Sequence, residues 1–209
     1  SRAGVTPLSW SFYHAGPLTR TVDDAAISLA VLAGHDAGDP ASLPMESFAH
    51  DQDAEDANVE GLRIGVPENY FVENVDEEVL GAVESACALL ESRGAVLKPV
   101  RIPMVERFMS VYFLIQLPEA SAYHRAMIRQ SPELSSEDVR AYLEAGEFVF
   151  ASDYVQAQRA RWLIKQEFQR LFDDVDVIIT PTVPTVAVPA DLDSISWRPG
   201  VEESVTMAY

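Results

Sequence analysis

The side chains in this 209-residue chain that are equipped for acid–base, nucleophilic or metal chemistry are few and widely spaced. The four histidines, His14, His35, His50 and His124, show no H-E-x-x-H spacing, so no two of them share a helix face as zinc ligands would. The one cysteine, Cys87, excludes an internal disulfide framework and any multi-cysteine metal site. Lys98 follows an apolar run and Lys165 lies inside an amphipathic pattern, so both read as solvated cations rather than neutral bases. Asp51, Asp53, Glu55 and Asp56 concentrate negative charge but lack the glycine and terminal glutamate of an EF-hand loop, which makes them a solvated acidic loop. No G-x-G-x-x-G or Walker loop follows the first strand-like run, so no nucleotide site is marked. No metal site and no nucleotide site is therefore marked within 1–209.

Charge narrows the partners. Thirty-three acidic against fifteen basic residues give a formal net charge of -18, a field that repels phosphate backbones and anionic lipid surfaces. Nucleic-acid binding by this segment and membrane association are not expected. There is no basic-then-apolar leader and no apolar run of about 18 residues. With the single cysteine, this leads to the expectation of a cytoplasmic protein. At 48% hydrophobic residues, with thirteen prolines and ten glycines, the composition is that of a globular chain.

The elements that must position any site follow from periodicity. Thr21 is a candidate N-cap for a half-buried helix over about 22–33, with Asp23 and Asp24 in its first turn and Ala25, Ala26, Leu29, Leu32 and Ala33 at helical spacing before Gly34. Residues 35–60 hold eight acidic residues and no lysine or arginine, which predicts an acidic surface connection. Residues 61–103 read as a strand, helix, strand unit. Leu62–Val66 is the first strand, a helix follows from Asp76 with Val79, Leu80, Val83, Ala86, Cys87 and Leu90 on one face, and Val96–Ile102 is the second strand. Such a unit favours a parallel or mixed sheet with covering helices.

Residues 104–189 read as a helical layer plus a strand. A helix over 104–128 is expected to be interrupted or kinked at Pro118, a shorter one to run from Ser136 to about Glu144, and a longer one to be capped by Ser152. Ala160, Leu163, Ile164, Phe168 and Leu171 form the buried stripe expected of that longer helix. Val175–Thr180 is the clearest strand pattern, and residues 190–209 carry none. The fold class is α/β, a mixed β-sheet core covered by helices.

Three stretches resemble one enzyme family. Ser1-Arg2-Ala3-Gly4, Pro7, Ser11, Gly16-Pro17 and Arg20-Thr21-Val22-Asp23-Asp24-Ala25-Ala26 follow the pattern G-R-V-S-R-x-G-x-x-P, then S-x-D-x-x-G-P-x-x-R-T-V-x-D-A-A. Glu119-Ala120-Ser121 and Asp176–Pro184, which fits D-x-[ILV]-[ILV]-x-P-T-x-P, extend the match. The chain resembles the amidase signature family, as a partial domain over 1–209, with nearly all of 1–189 covered. The resemblance implies a hydrolase that attacks a carboxamide through a Ser-Ser-Lys triad, forms a serine acyl-enzyme and needs no metal or organic cofactor. A hydroxyl requires a base to become nucleophilic, and aimed N–H donors stabilise the tetrahedral charge. The family's glycine-rich loop has no counterpart here, since the chain has no Gly-Gly pair. The catalytic segment is thus expected upstream of Ser1, and this fragment alone is expected to be inactive.

Substrate contacts are implied within the chain. In amidotransferase-like members, a tyrosine seven residues before the E-A-S motif and an arginine in the helix beyond it hold the substrate. The matching positions are Tyr112 and Arg140. A guanidinium pairs with a carboxylate through two hydrogen bonds, and a phenol packs and hydrogen-bonds at once. Tyr13 stands where many members carry aspartate, which removes the local hydrogen bonding an aspartate would supply. The implied partners are a small-molecule amide substrate and, in addition, a homo-oligomeric copy or amidotransferase subunits. Two further readings stay open: the A subunit of a tRNA-dependent amidotransferase, and a non-catalytic acidic α/β binding module.

Overall fold

A computed structural model describes residues 1–43 and 58–205. Most of the acidic connection expected over 35–60, including the cluster from Asp51 to Asp56, lies outside the described residues. The chain divides into two compact units, Ser1–Asp56 with Met109–Ala160 and Ala57–Phe108 with Arg161–Tyr209.

The first unit is helical. Helix α1 (Val22–Leu32) starts where expected, with the Thr21 hydroxyl accepting from the Asp24 N–H at 3.1 Å, and two carboxylates face the positive end of its dipole. It buries no residue. The half-buried stripe expected from its sequence holds for Ala25, Ala26 and Ala33, which are half-buried, and is corrected for Leu29 and Leu32, which are exposed. Helix α3 (Phe108–Gln130) runs through Pro118 without the expected interruption. Its buried face, Val111, Ile115 and Ala120, joins Leu143 of α4 (Glu137–Ala145) and Ala157 of α5 (Ala151–Asp174) in the apolar core. Burying a side chain such as Ile115 contributes about 1.5–3 kcal/mol.

Two expectations for α5 are corrected. The Phe150 carbonyl accepts from the N–H groups of Asp153 and Tyr154 at 3.0 and 3.1 Å, so the helix opens at Ala151 and Ser152 falls inside its first turn rather than capping it. Among its residues only Ala157 is buried, and Leu163 of the expected stripe is exposed.

The second unit holds the sheet. Strand β1 (Arg63–Pro67) lies between β2 (Val96–Val100) and β3 (Val177–Ile178), all parallel, in register from Arg63↔Val96 to Pro67↔Val100 on one side and from Ile64↔Val177 to Gly65↔Ile178 on the other. The crossover between β1 and β2 is helix α2 (Glu77–Ser92), whose apolar stripe buries Cys87 and ends before Gly94 at φ 94°. Ile64, Ala95, Val100, Ile102 and Val175 complete this core. Buried Asn69 closes the far end of β1 and β2: its amide donates to the Ile102 carbonyl at 3.1 Å and accepts from the Ile102 N–H at 2.8 Å.

The strand expected over Val175–Thr180 shrinks to two residues. Among the described residues it pairs with β1 alone, and its hydrogen bonds, Asp176 N–H to Arg63 O and Ile179 N–H to Gly65 O, span only the first three residues of β1. Residues expected to carry no pattern form an antiparallel pair, β4 (Ser194–Arg198) and β5 (Val201–Ser204), joined at Pro199-Gly200. Architecturally, then, the chain is α/β, with a parallel sheet, a small antiparallel pair and helices.

Arg63 ties strand and helix ends together. Its guanidinium pairs with Asp176 at 2.6 Å, it donates to the Asp173 carbonyl at 3.1 Å, and Lys98 donates to the Asp174 carbonyl at 3.0 Å. Two cations thus meet the negative end of α5, where Asp173 and Asp174 would otherwise stand against the dipole. Hydrogen bonds from Arg63 hold the Asp176 carboxyl down to about 2, from an ordinary 3.8. Because the folded value is depressed, this contribution is present above about pH 4 and is lost as pH falls through about 2. Acid unfolding followed by circular dichroism is expected to show that loss between these limits, and Asp176→Asn to flatten the slope there.

Two glycines give a matched test of packing. A Cβ on Gly146 would overlap the Leu117 carbonyl of α3, so α3 and the end of α4 approach as closely as backbone permits. A Cβ on Gly81, within α2, meets nothing within 4 Å. Gly146→Ala is expected to destabilise by about 1–3 kcal/mol, whereas Gly81→Ala is expected to stabilise by about 0.5–1 kcal/mol. Urea midpoints of the two variants check the opposite signs.

Candidate functional site

The polar residues with most structural consequence lie on one face of α3. Tyr112, Gln116 and Glu119 are spaced i, i+4, i+7, which aligns them along a helix otherwise dense in apolar side chains. Each meets a partner within the first unit. Glu119 accepts three hydrogen bonds. The Ser9 hydroxyl donates to Oε2 at 2.6 Å, the Ser11 backbone N–H to the same oxygen at 3.1 Å, and the Tyr154 hydroxyl of α5 to Oε1 at 3.0 Å. Gln158 extends the network by donating to the Tyr154 oxygen at 3.0 Å. Ser9 is 2% exposed, so this carboxylate fixes a buried turn of the irregular segment before α1.

The same segment is held twice more. His124 on α3 lies 2.8 Å from the Pro7 carbonyl through Nε2, which therefore carries the proton. Arg2 forms a fork with both carboxylate oxygens of Asp39 at 2.9 and 3.1 Å, and this guanidinium, with two backbone N–H groups, holds the Asp39 carboxyl well below the usual range. Arg2 also lies 5.5 Å over the Tyr13 ring, so the position where an aspartate is common instead supplies an aromatic face to a cation.

One turn before Glu119, buried Gln116 accepts a hydrogen bond from the Tyr142 hydroxyl of α4. Tyr112, a further turn back, is part-exposed, packs on Phe12 at 5.6 Å and on Phe113 at 5.2 Å, and lies close enough to Tyr142 for its charge to act there. Burial first, and the neighbouring Tyr112 second, push the Tyr142 phenol up to about 12, so it stays a neutral donor at every working pH.

Of the two residues that the sequence motifs mark, Tyr112 thus stands in an aromatic and hydrogen-bonded cluster. Arg140 stands apart from it. Its Nε is 4.0 Å from Glu144 Oε1, one turn along α4, in an exposed pair. Gln116, Glu119, Tyr142 and Tyr154 are not marked as site residues by those motifs. Their signal in the sequence is the set of polar residues at i, i+4, i+7 in an apolar helix, a pattern that denotes buried polar groups needing partners.

Elsewhere, a cavity of about 310 Å³ opens beside Ser121, Arg125, Ile128, Arg129 and Glu147, where Arg125 and Glu147 already pair through two bonds at 2.8 and 3.0 Å. In the second unit, cavities of about 350 and 430 Å³ lie beyond the carboxyl ends of β1 and β3. The first is lined by Tyr70, Glu73, Pro184 and Trp197, and the second by Val79, Val83, Ile179 and Val186. Among the described residues, no three His, Cys, Asp or Glu side chains are grouped to hold a metal, and no helix is long and apolar enough to cross a membrane.

The family model described as Amidase matches residues 1–205. The chain belongs to the amidase signature family. It is 48% identical over 209 residues to an amidase of Pseudomonas putida, covering 99% of this chain and 44% of that protein. Over 90% of its length it is 36% identical to the A subunit of the glutamyl-tRNA(Gln) amidotransferase of Acidobacterium capsulatum, again covering 44% of the relative. Among solved structures, one from a vestigial protein complex described as revealing the origins of an s-triazine catabolic enzyme is similar, with a TM-score of 0.86. It is 25% identical, and the match covers 98% of this chain and 44% of that one. The chain therefore spans just under half the length of the relatives it matches. The family motifs fall on the structures just described: Ser11 on the Glu119 clamp, Glu119-Ala120-Ser121 on α3, and Asp176–Pro184 on β3 and the loop after it.

The clamp yields a stability prediction. In Glu119→Gln one oxygen remains while an NH₂ group faces the donors of Ser9 and Ser11; the hydroxyl can turn to accept, the backbone N–H cannot. A loss of about 1–3 kcal/mol follows. Thermal unfolding of Glu119→Gln beside Ser9→Ala checks it, with the smaller loss expected for Ser9→Ala.

Proposed function

We propose that this chain is the substrate-holding part of an amidase that cleaves the C–N bond of a small carboxamide. The observation that carries the reading is the family match over residues 1–205, joined to a cluster of Phe12, Tyr112, Gln116 and Tyr142 that offers an aromatic face beside hydrogen-bonding groups. In this reading a serine outside residues 1–209 attacks the carbonyl carbon, a lysine relay delivers the proton to the departing nitrogen, and ammonia or an amine leaves. Water then attacks the acyl-enzyme, releases the carboxylic acid and restores the serine hydroxyl. The steps are those that the family resemblance implies, and residues 1–209 contribute binding and orientation rather than the attacking group.

Tyr112 is assigned to the substrate surface, where its ring is fixed by Phe12 and Phe113 and its edge is part-exposed. Arg140 has the same role by resemblance; to reach a substrate carboxylate its guanidinium would leave Glu144. The acidic connection over 35–60, the strand, helix, strand unit over 61–103 and the helical layer over 104–189 are parts of one family domain in this proposal. A reducing, cytoplasmic setting suits the lone, buried thiol of Cys87.

The second reading, the A subunit of a tRNA-dependent amidotransferase, has support from the relative at 36% identity. It requires partner proteins. The full-length protein that carries this chain is expected to release ammonia from simple amides in step with acid, with no partner added and without added metal. Residues 1–209 alone are expected to release none. Activity that depends on co-purifying partner proteins together with a charged tRNA would favour the second reading, and saturable amide binding without any turnover would overturn both.

A further inference from the structure

The cavity of about 350 Å³ in the second unit has walls with a chemistry of their own. Three stretches of that unit build it. The loop after β1 brings Tyr70, Phe71 and Glu73, the loop after β3 brings Pro184, and the β4–β5 pair brings Trp197 and Glu203. The Asp76 N–H donates to the Pro184 carbonyl at 2.8 Å, which ties the first two loops together. Trp197 is the extra residue between the Ser196↔Glu202 and Arg198↔Val201 pairs, a bulge that turns its indole to Glu203. We propose that this cavity binds a small organic ammonium ion, held between the carboxylates of Glu73 and Glu203 and the rings of Tyr70 and Trp197. The proposal goes beyond the amidase reading and does not depend on it.

Three observations carry it. First, among the described residues that line the cavity the charged side chains are the two glutamates, and each has an oxygen left for a ligand. The Tyr70 N–H donates to Glu73 Oε1 at 3.2 Å and Trp197 Nε1 donates to Glu203 Oε2 at 3.0 Å, which leaves Glu73 Oε2 and Glu203 Oε1. Second, aromatic rings stand beside these carboxylates. The Tyr70 ring is set edge-to-face with Phe71 at 5.1 Å and with Phe108 at 5.5 Å, so it is fixed before any ligand arrives. The negative face of such a ring, or of the Trp197 indole, attracts a cation, and an alkylammonium is favoured because its carbon surface packs on ring and proline while its charge meets the carboxylates. Third, the backbone around the cavity is strained. Tyr70 at φ 62° and Asn74 at φ 52° are left-handed without being glycine, a conformation that is costly for a residue with a Cβ and that collects where loops clamp ligands. A metal ion suits these walls less well, since two carboxylates offer fewer oxygens than a calcium shell needs and the rest is ring and proline. An anion would meet two like charges.

Calorimetry on the full-length protein tests this with choline, with its uncharged isostere 3,3-dimethylbutan-1-ol, and with benzyltrimethylammonium. Choline is expected to bind saturably, and the isostere about tenfold more weakly or worse. Trp197→Leu is expected to weaken choline by about tenfold. Glu203→Gln, which keeps an oxygen for the indole N–H, is expected to weaken it by about threefold to tenfold, and the double variant with Glu73→Gln by more. Should Trp197→Leu lower the thermal midpoint of the free protein, Glu203→Gln alone decides. Glu133→Gln removes the same charge from an exposed position in the first unit and is expected to leave the affinity within twofold. No binding of choline or benzyltrimethylammonium by wild type would overturn the proposal. So would equal affinity for choline and its uncharged isostere, or an equal loss in Glu133→Gln and Glu203→Gln, which would assign the attraction to overall charge. Ammonia release from amides is a separate measurement, so failure here leaves the amidase reading intact.

Discussion

The carboxylate of Glu119 is the constraint around which the helical unit is arranged. A carboxylate removed from water must be given donors, and the full penalty returns if any is missing. Here the donors come from two directions: an irregular segment contributes Ser9 and Ser11, and α5 contributes Tyr154. A segment without regular structure satisfies few of its own backbone groups, so it can be buried only where side chains take over that task. Glu119 does so for the Ser11 N–H, and His124 does the same for the Pro7 carbonyl. Both anchors sit on α3, which explains why an otherwise apolar helix carries acid and imidazole in its middle.

That arrangement has a consequence one turn away. There the next buried polar residue, Gln116, must be given a donor of its own, and α4 supplies the Tyr142 phenol. The close approach needed for this contact is set by Gly146, whose missing side chain lets the end of α4 lie against the Leu117 carbonyl. The chain of dependence runs from a glycine to a helix spacing, and from the spacing to a phenol and amide contact. In the second unit Asn69 and Arg63 act in the same way, each tying the end of a strand to a distant carbonyl or carboxylate.

Periodicity carried much of this fold in the sequence, and its failures have physical causes. The Thr21 cap, the α2 stripe ending at Gly94 and the parallel strands around residues 63 and 96 follow local rules that tertiary contacts reinforce. Pro118 is a poor guide because only one helical hydrogen bond depends on its missing N–H, and α3 has enough packing on either side to continue. Ser152 misleads because a capping side chain matters only where the chain turns, and the turn is made one residue earlier by the Phe150 carbonyl. The β4–β5 pair is legible in principle from Pro199-Gly200 between two short runs, the first of which, Ser194-Ile195-Ser196-Trp197, alternates polar and apolar residues, although over too few positions to set it apart from a loop. For the site, the family motifs lead to Tyr112. Arg140 and Tyr142 both follow Ser136 on the same short helix, and their spacing does not give the direction of packing that sets Tyr142 on Gln116 and Arg140 beside Glu144.

Local contacts decide more in the first unit than the overall charge does. A net charge of -18 suggests a general aversion to anions, but at physiological ionic strength charges on the surface are screened over about 8 Å, so the sum exerts little force at any one point. The local term is larger. Two carboxylates of this unit are each answered by their own donors, Glu119 by Ser9, Ser11 and Tyr154 and Asp39 by the Arg2 fork. Leu143 and Gly146, both buried, hold α4 in the rotation that sets Tyr142 on Gln116 and leaves Arg140 with Glu144.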